Sequence, residues 1–124
     1  MSSTITYNPA LRIIETVYRI EHGPQELFEV AAATLSLARK HQCTRFFGDC
    51  TALLFGQSMT DVRNLVTFIK ATGVDGHDKE ALLIPSAPDA AQAFEYFEEL
   101  CLQHGFRVKV FPSRDEAVAW LLED

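Results

Sequence analysis

Ala81-Leu82-Leu83-Ile84 is apolar at consecutive positions and is cut off by Pro85. A strand with one wet face alternates apolar and polar residues, so a run without alternation needs cover on both faces. The segment Cys43 to Cys50 has the same character around Phe46 and Phe47. Two such strands require a layered α/β fold, with the two sides of one sheet covered by helices, or partly by a second subunit.

Helical stripes supply the cover. Gly23-Pro24 puts proline at a helix start, and Leu27, Ala31, Thr34, Leu35 and Ala38 fall on one side of a helix that ends near His41. A second helix runs from Met59 to about Thr72. Val62, Leu65, Val66 and Ile69 form its apolar stripe, and Gly73 is its stop. The third carries the clearest stripe, through Ala90, Ala93, Phe94, Phe97, Leu100, Cys101 and His104, and stops at Gly105. Ser113-Arg114-Asp115-Glu116 has capping-box spacing ahead of Ala117, Trp120 and Leu121, which predicts a last helix.

Ile5 to Tyr7 and Leu11 to Ile20 are rich in β-branched and aromatic residues, and Asn8-Pro9-Ala10 between them is turn chemistry. They read as an antiparallel pair. Val74 to Lys79 reads as a solvated loop, Ala81 to Ile84 as a core strand and Phe106 to Phe111 as a further strand. The order ββαβαβαβα predicts an α/β fold for residues 1–124 as a single domain. Its mixed sheet has about five strands, the first two antiparallel and the rest mainly parallel, with about four helices.

Charge narrows the partners. Seventeen acidic residues against eleven basic ones give a net charge of −6 with no Lys/Arg cluster, which removes the electrostatic footprint needed for nucleic acid or an anionic lipid surface. No apolar run approaches membrane-spanning length, so membrane insertion is not expected, and the N-terminus lacks the features of a secretory signal. A cytoplasmic location is the expectation. Cys43, Cys50 and Cys101 are an odd set without CxxC spacing and read as packed, reduced thiols.

Candidate chemistry gathers after the Phe46-Phe47 strand. Asp49 stands at the carboxyl end of that strand, where α/β folds bind ligands, but the same residue type also organises a following turn. Ser58, three residues before Asp61, reads as a helix cap or as a phosphorylation site at a helix N-terminus. Between them Ala52, Leu53, Leu54 and Phe55 place an apolar run in a surface connection. Such a run tucks into the core, meets a partner or a second subunit, or borders an apolar ligand site. The scattered His22, His41, His77 and His104 have no metal-ligand spacing, and no cofactor motif is present.

The layout resembles the SpoIIAA-like, or STAS-like, family, which is similar in shape to Sec14-type lipid-binding domains. Arg45-Phe46-Phe47-Gly48-Asp49, Ala81 to Pro85, Phe94 with Phe97, and Phe111 to Leu121 carry the resemblance by their order and spacing. Members of that family that antagonise anti-sigma factors carry a phosphorylatable serine, usually within Asp-Ser-x-Gly, at the start of the helix after the aspartate-ending strand. Ser58 stands in the corresponding place, with Gln57 before it and Thr60 where the glycine falls.

Two functional expectations follow. One is a non-enzymatic STAS-like interaction or regulatory module that meets a protein partner, or its own copy, through residues 51–62. The other is a carrier or sensor of a small apolar ligand bound near the same segment, as the similarity to Sec14-type domains implies. Hydrolysis involving Asp49, Cys50 and Ser58 is a distant third, since no nucleophile-elbow spacing accompanies them.

Overall fold

The computed structural model describes residues 3–19, 24–52, 59–85 and 88–123. Thr4–Asn8 (β1) and Ile13–Val17 (β2) form the antiparallel pair, with Thr4 opposite Val17 and Asn8 opposite Ile13. Asn8 builds the turn between them. Its Oδ1 accepts the Leu11 N–H (3.1 Å) and its carbonyl accepts the Arg12 N–H (2.7 Å). Leu11 and Arg12 are thereby drawn into the turn, so β2 starts two residues later than the Leu11 start read from the sequence.

Arg45–Asp49 (β3), Lys79–Leu83 (β4) and Arg107–Phe111 (β5) continue the sheet in parallel, in the spatial order β1-β2-β3-β4-β5. Each new strand is added on the same side of the last, so crossovers of one hand put their helices on one face. These are α1 (Pro24–His41), α2 (Met59–Ala71) and α3 (Pro88–Gln103). The last helix, α4 (Arg114–Leu122), packs on the opposite face.

The apolar clusters follow the alternation of the strands. Phe47 and Ala81 meet Ala117 and Leu121 of α4, with Ile13 beside them. On the other face Leu82 and Val108 meet Val62 and Val66 of α2 and Phe94, Phe97 and Cys101 of α3. Ile14 and Phe46 pack with Ala38 of α1. The sheet is therefore covered on both sides within one chain.

Local chemistry ends the elements where the spacing predicts. Arg39, Lys40 and His41 occupy the last turn of α1, complementing the negative end of its dipole. Gly105 adopts φ 89°, and the next N–H, of Phe106, donates to the Cys101 carbonyl (3.1 Å), which turns the chain out of α3 and buries Phe106. Ser113 caps α4, its Oγ accepting the Glu116 N–H (3.3 Å).

Strand β4 departs from the sequence reading. It begins at Lys79 and not at Ala81, so the loop before it ends at Asp78. Lys79, read as solvated, is only 6 % exposed. Its ammonium crosses to the end of α4 and donates to the carbonyls of Trp120 (2.8 Å) and Glu123 (2.8 Å), passing over the Trp120 ring. The Trp120 carbonyl also accepts the Glu123 N–H (3.2 Å) and keeps a lone pair for the ammonium, and both carbonyls lie at the negative end of the α4 dipole, which is why a buried cation is tolerated there.

Candidate functional site

Helix α2 is held away from the sheet. It packs between α1 and α3, and none of its Cα atoms comes within 8 Å of a strand Cα. Phe28 of α1 stacks on Phe68 of α2, with ring centroids 5.3 Å apart. At the other end Lys70 Nζ donates to the His104 carbonyl (2.8 Å), and Arg39 donates to the Thr72 carbonyl. These ties fix α2 to its neighbouring helices and leave a gap beneath it.

That gap is a partly open cavity of about 120 Å³. Its floor is Phe46, Glu80, Leu82 and Val108 of the sheet, and its roof is Asp61, Val62, Leu65 and Ile69 of α2. Leu27, Ala31, Thr34 and Leu35 of α1 close one side, with Ala93, Phe94 and Phe97 of α3 on the other. Tyr18 and Cys50 line it where β2 and β3 end, and Asp78, Phe106 and Arg107 line it where β4 and β5 begin. Gly48 helps shape the floor: a Cβ there would lie 2.7 Å from Leu82 Cδ2, so only glycine lets Leu82 lie across β3 undisturbed.

Glu80 is the polar group in this floor. It lies in the middle of the sheet between β3 and β5, on the face that carries Leu82, and has no hydrogen-bond or ion-pair partner among the described residues. Loss of hydration pushes its carboxyl up to about 7. Burial likewise raises the thiols of Cys50 and Cys101 and the phenol of Tyr18, and the charge of Glu80 adds to each. Both thiols are therefore held protonated and are poor nucleophiles.

A second depression, of about 410 Å³, lies between the C-terminal ends of α1 and α2 and is bordered by Arg39, Gln42, Thr44 and Thr72. It is larger but shallower, with a polar rim that the Arg39 to Thr72 bond already spans. The cavity under α2 has the apolar walls and the few inward polar groups of a ligand site.

The residues singled out in the sequence fall in different places. Asp49 Oδ1 accepts the Thr51 N–H (3.0 Å) and Thr51 Oγ1–H (2.7 Å), so its carboxylate organises the turn after β3. It is not part of the cavity lining, whereas Asp61 and Cys50 are. Asp49 and Cys50, adjacent in sequence, are thus separated: one holds the turn and the other packs under α2. Leu53, Leu54, Phe55 and Ser58 lie outside the described residues, as does His22.

His41 stacks on Tyr7, with centroids 3.9 Å apart, and exposed His77 bonds to Asp75. Cys43, Cys50 and Cys101 are buried free thiols. Among the described residues no group of three His, Cys, Asp or Glu side chains is arranged for a metal ion, and no helix is long and apolar enough to cross a membrane.

Glu80 is the functional candidate that sequence reasoning missed. A signal was present, because alternation through the strand sets Glu80 on the same face as Leu82 and Ile84. An acid in that series, on a strand that must be covered on both sides, marks a carboxyl turned toward the covering helices, here half-buried. No protein-family model matches the chain, and no curated protein matches it.

Proposed function

We propose that this protein is a non-enzymatic carrier or sensor that binds a small, largely apolar molecule in the cavity under α2. The observation that carries this reading is the coincidence of two unfavourable features at one place. The partly open cavity of about 120 Å³ leaves apolar side chains of the sheet and of three helices short of close-packed neighbours. The Glu80 carboxyl in its floor, without a hydrogen-bond or ion-pair partner among the described residues, adds a desolvation penalty when ionised. A core selected only for stability would close the gap with larger side chains and replace Glu80 by an aliphatic residue.

The chemistry in and around the cavity favours binding over turnover. Cys50 and Cys101 are held as thiols, and Asp49 is engaged with Thr51. The alternative expectation, docking of a protein partner through residues 51–62, rests on Leu53, Leu54, Phe55 and Ser58, and the described geometry adds no observation in its favour.

Ala31→Leu tests the reading, because it adds side-chain volume to the α1 wall of the cavity. Calorimetric titration with cyclohexanol and cyclohexylamine should show saturable binding to the wild type, weakened at least tenfold in Ala31→Leu. Equal binding by the two proteins, or none by the wild type, would contradict a ligand site under α2.

A further inference from the structure

We infer that the cavity is built for a small organic amine, whose hydrocarbon part fills the apolar space under α2 and whose ammonium group meets the Glu80 carboxylate. This rests on the reading of the cavity as a ligand site and goes further, since it fixes the charge of the occupant.

Charge complementarity carries the argument. Glu80 is an acid in an otherwise apolar floor, without a hydrogen-bond or ion-pair partner among the described residues. Neither basic residue that lines the same space acts on Glu80, whose raised carboxyl has loss of hydration as its cause. The Lys79 ammonium lies on the opposite face of the sheet, held by the carbonyls of Trp120 and Glu123. Arg107 stands where β5 begins, with Nη2 donating to the His77 carbonyl (3.4 Å), while its buried Nε has no hydrogen-bond partner among the described residues.

The other groups that face Glu80 do not supply a positive charge. Helix α1 presents Thr34, α2 presents Asp61, and α3 packs Cys101 nearby. Tyr18 and Cys50, at the ends of β2 and β3, are both raised by burial and further by the charge of Glu80, so they stay protonated beside it. An anionic ligand would add a further negative charge to the carboxyls of Glu80 and Asp61. A neutral ligand would leave the carboxyl without a counter-charge. A protonated amine supplies that charge and several donors, and in a water-poor site such a pair is stronger than at the surface.

Size sets the rest. An apolar protein cavity of about 150 Å³ admits benzene, so a space of about 120 Å³ suits an apolar group on the order of six carbons.

Three molecules of one shape and different charge test the inference: cyclohexylamine, cyclohexanol and cyclohexanecarboxylate, each titrated at pH 7.5 into wild type and Glu80→Gln. The wild type should bind the amine at least tenfold tighter than the alcohol and the carboxylate most weakly, and Glu80→Gln should bring the amine to the level of the alcohol. The amine should also release a proton from wild-type Glu80 near pH 6.5, read as a binding enthalpy that depends on the buffer's own ionisation heat. This second reading needs no variant. Alcohol binding as tight as amine binding, or a preference for the amine that survives Glu80→Gln, overturns the amine and leaves the ligand site standing. No binding of any of the three overturns both.

Discussion

Lys79 and Glu80 are neighbours on β4 with opposite charges, and the sheet keeps them from neutralising each other. Lys79 reaches the end of α4 on one face, while Glu80 lines the cavity under α2 on the other. Alternation of side chains along a strand makes this separation unavoidable. Lys79 finds carbonyl acceptors within its own chain. Glu80 has no such partner among the described residues, and the difference divides a structural residue from a candidate binding residue.

Glu80 gives the protein a stability that depends on pH in a definite direction. Its carboxyl is raised from an ordinary 4.5 to about 7 by loss of hydration. Between these values the folded protein holds a proton that the unfolded chain has released, so stability falls as pH rises through this window. The full penalty, on the order of 3 kcal/mol, applies above pH 7. Glu80→Gln cannot ionise. In urea denaturation it should be more stable than wild type at pH 8, with the difference shrinking toward pH 5.

Lys79→Met should cost about 2 to 3 kcal/mol, since it removes two charge-assisted bonds to the carbonyls of Trp120 and Glu123. Hydrogen exchange locates the loss. The α4 amides should exchange faster, while those of α1 stay protected, because the tie lies on the α4 face alone.

Glu15 and Arg114 form a two-pronged pair, Nη1 to Oε1 at 2.7 Å and Nη2 to Oε2 at 3.0 Å, which joins β2 to the start of α4. The Arg114 hydrogen bond holds the Glu15 carboxyl below its usual range. Its contribution is thus present above the unfolded carboxyl's pKa and is lost as pH falls through the lowered one. Arg114 is nearly half exposed, so a double-mutant cycle of Glu15→Gln and Arg114→Met should give a coupling of only about 1 kcal/mol, smaller in high salt.

The fold was legible because its signals are local. The unbroken Ala81 to Ile84 run, the stripe from Ala90 to His104 and the Ser113 cap each need only a few neighbouring residues, and each marks an element that is present, with β4 shifted to Lys79–Leu83 and α3 ending at Gln103. Lys79 and Glu80 were not legible as strand residues, because two charges before an apolar run look like the end of a loop. What places Lys79 in the sheet is a bond to a carbonyl 41 residues further on. The cavity is hidden for a related reason: it is space left by the way α2 leans on α1 and α3, and no single residue encodes it. Asp61 and Cys50 line the cavity, whereas Asp49, next to Cys50 in sequence, serves its own turn.

Methyl NMR of the protein titrated with cyclohexylamine tests the central claim most directly. The account predicts saturable shifts at Val62, Leu65 and Ile69 of the roof and Leu82 of the floor, with Leu11 and Leu121 on the α4 face unmoved. A spectrum unchanged at saturating amine, or shifts spread equally over both faces, would contradict it.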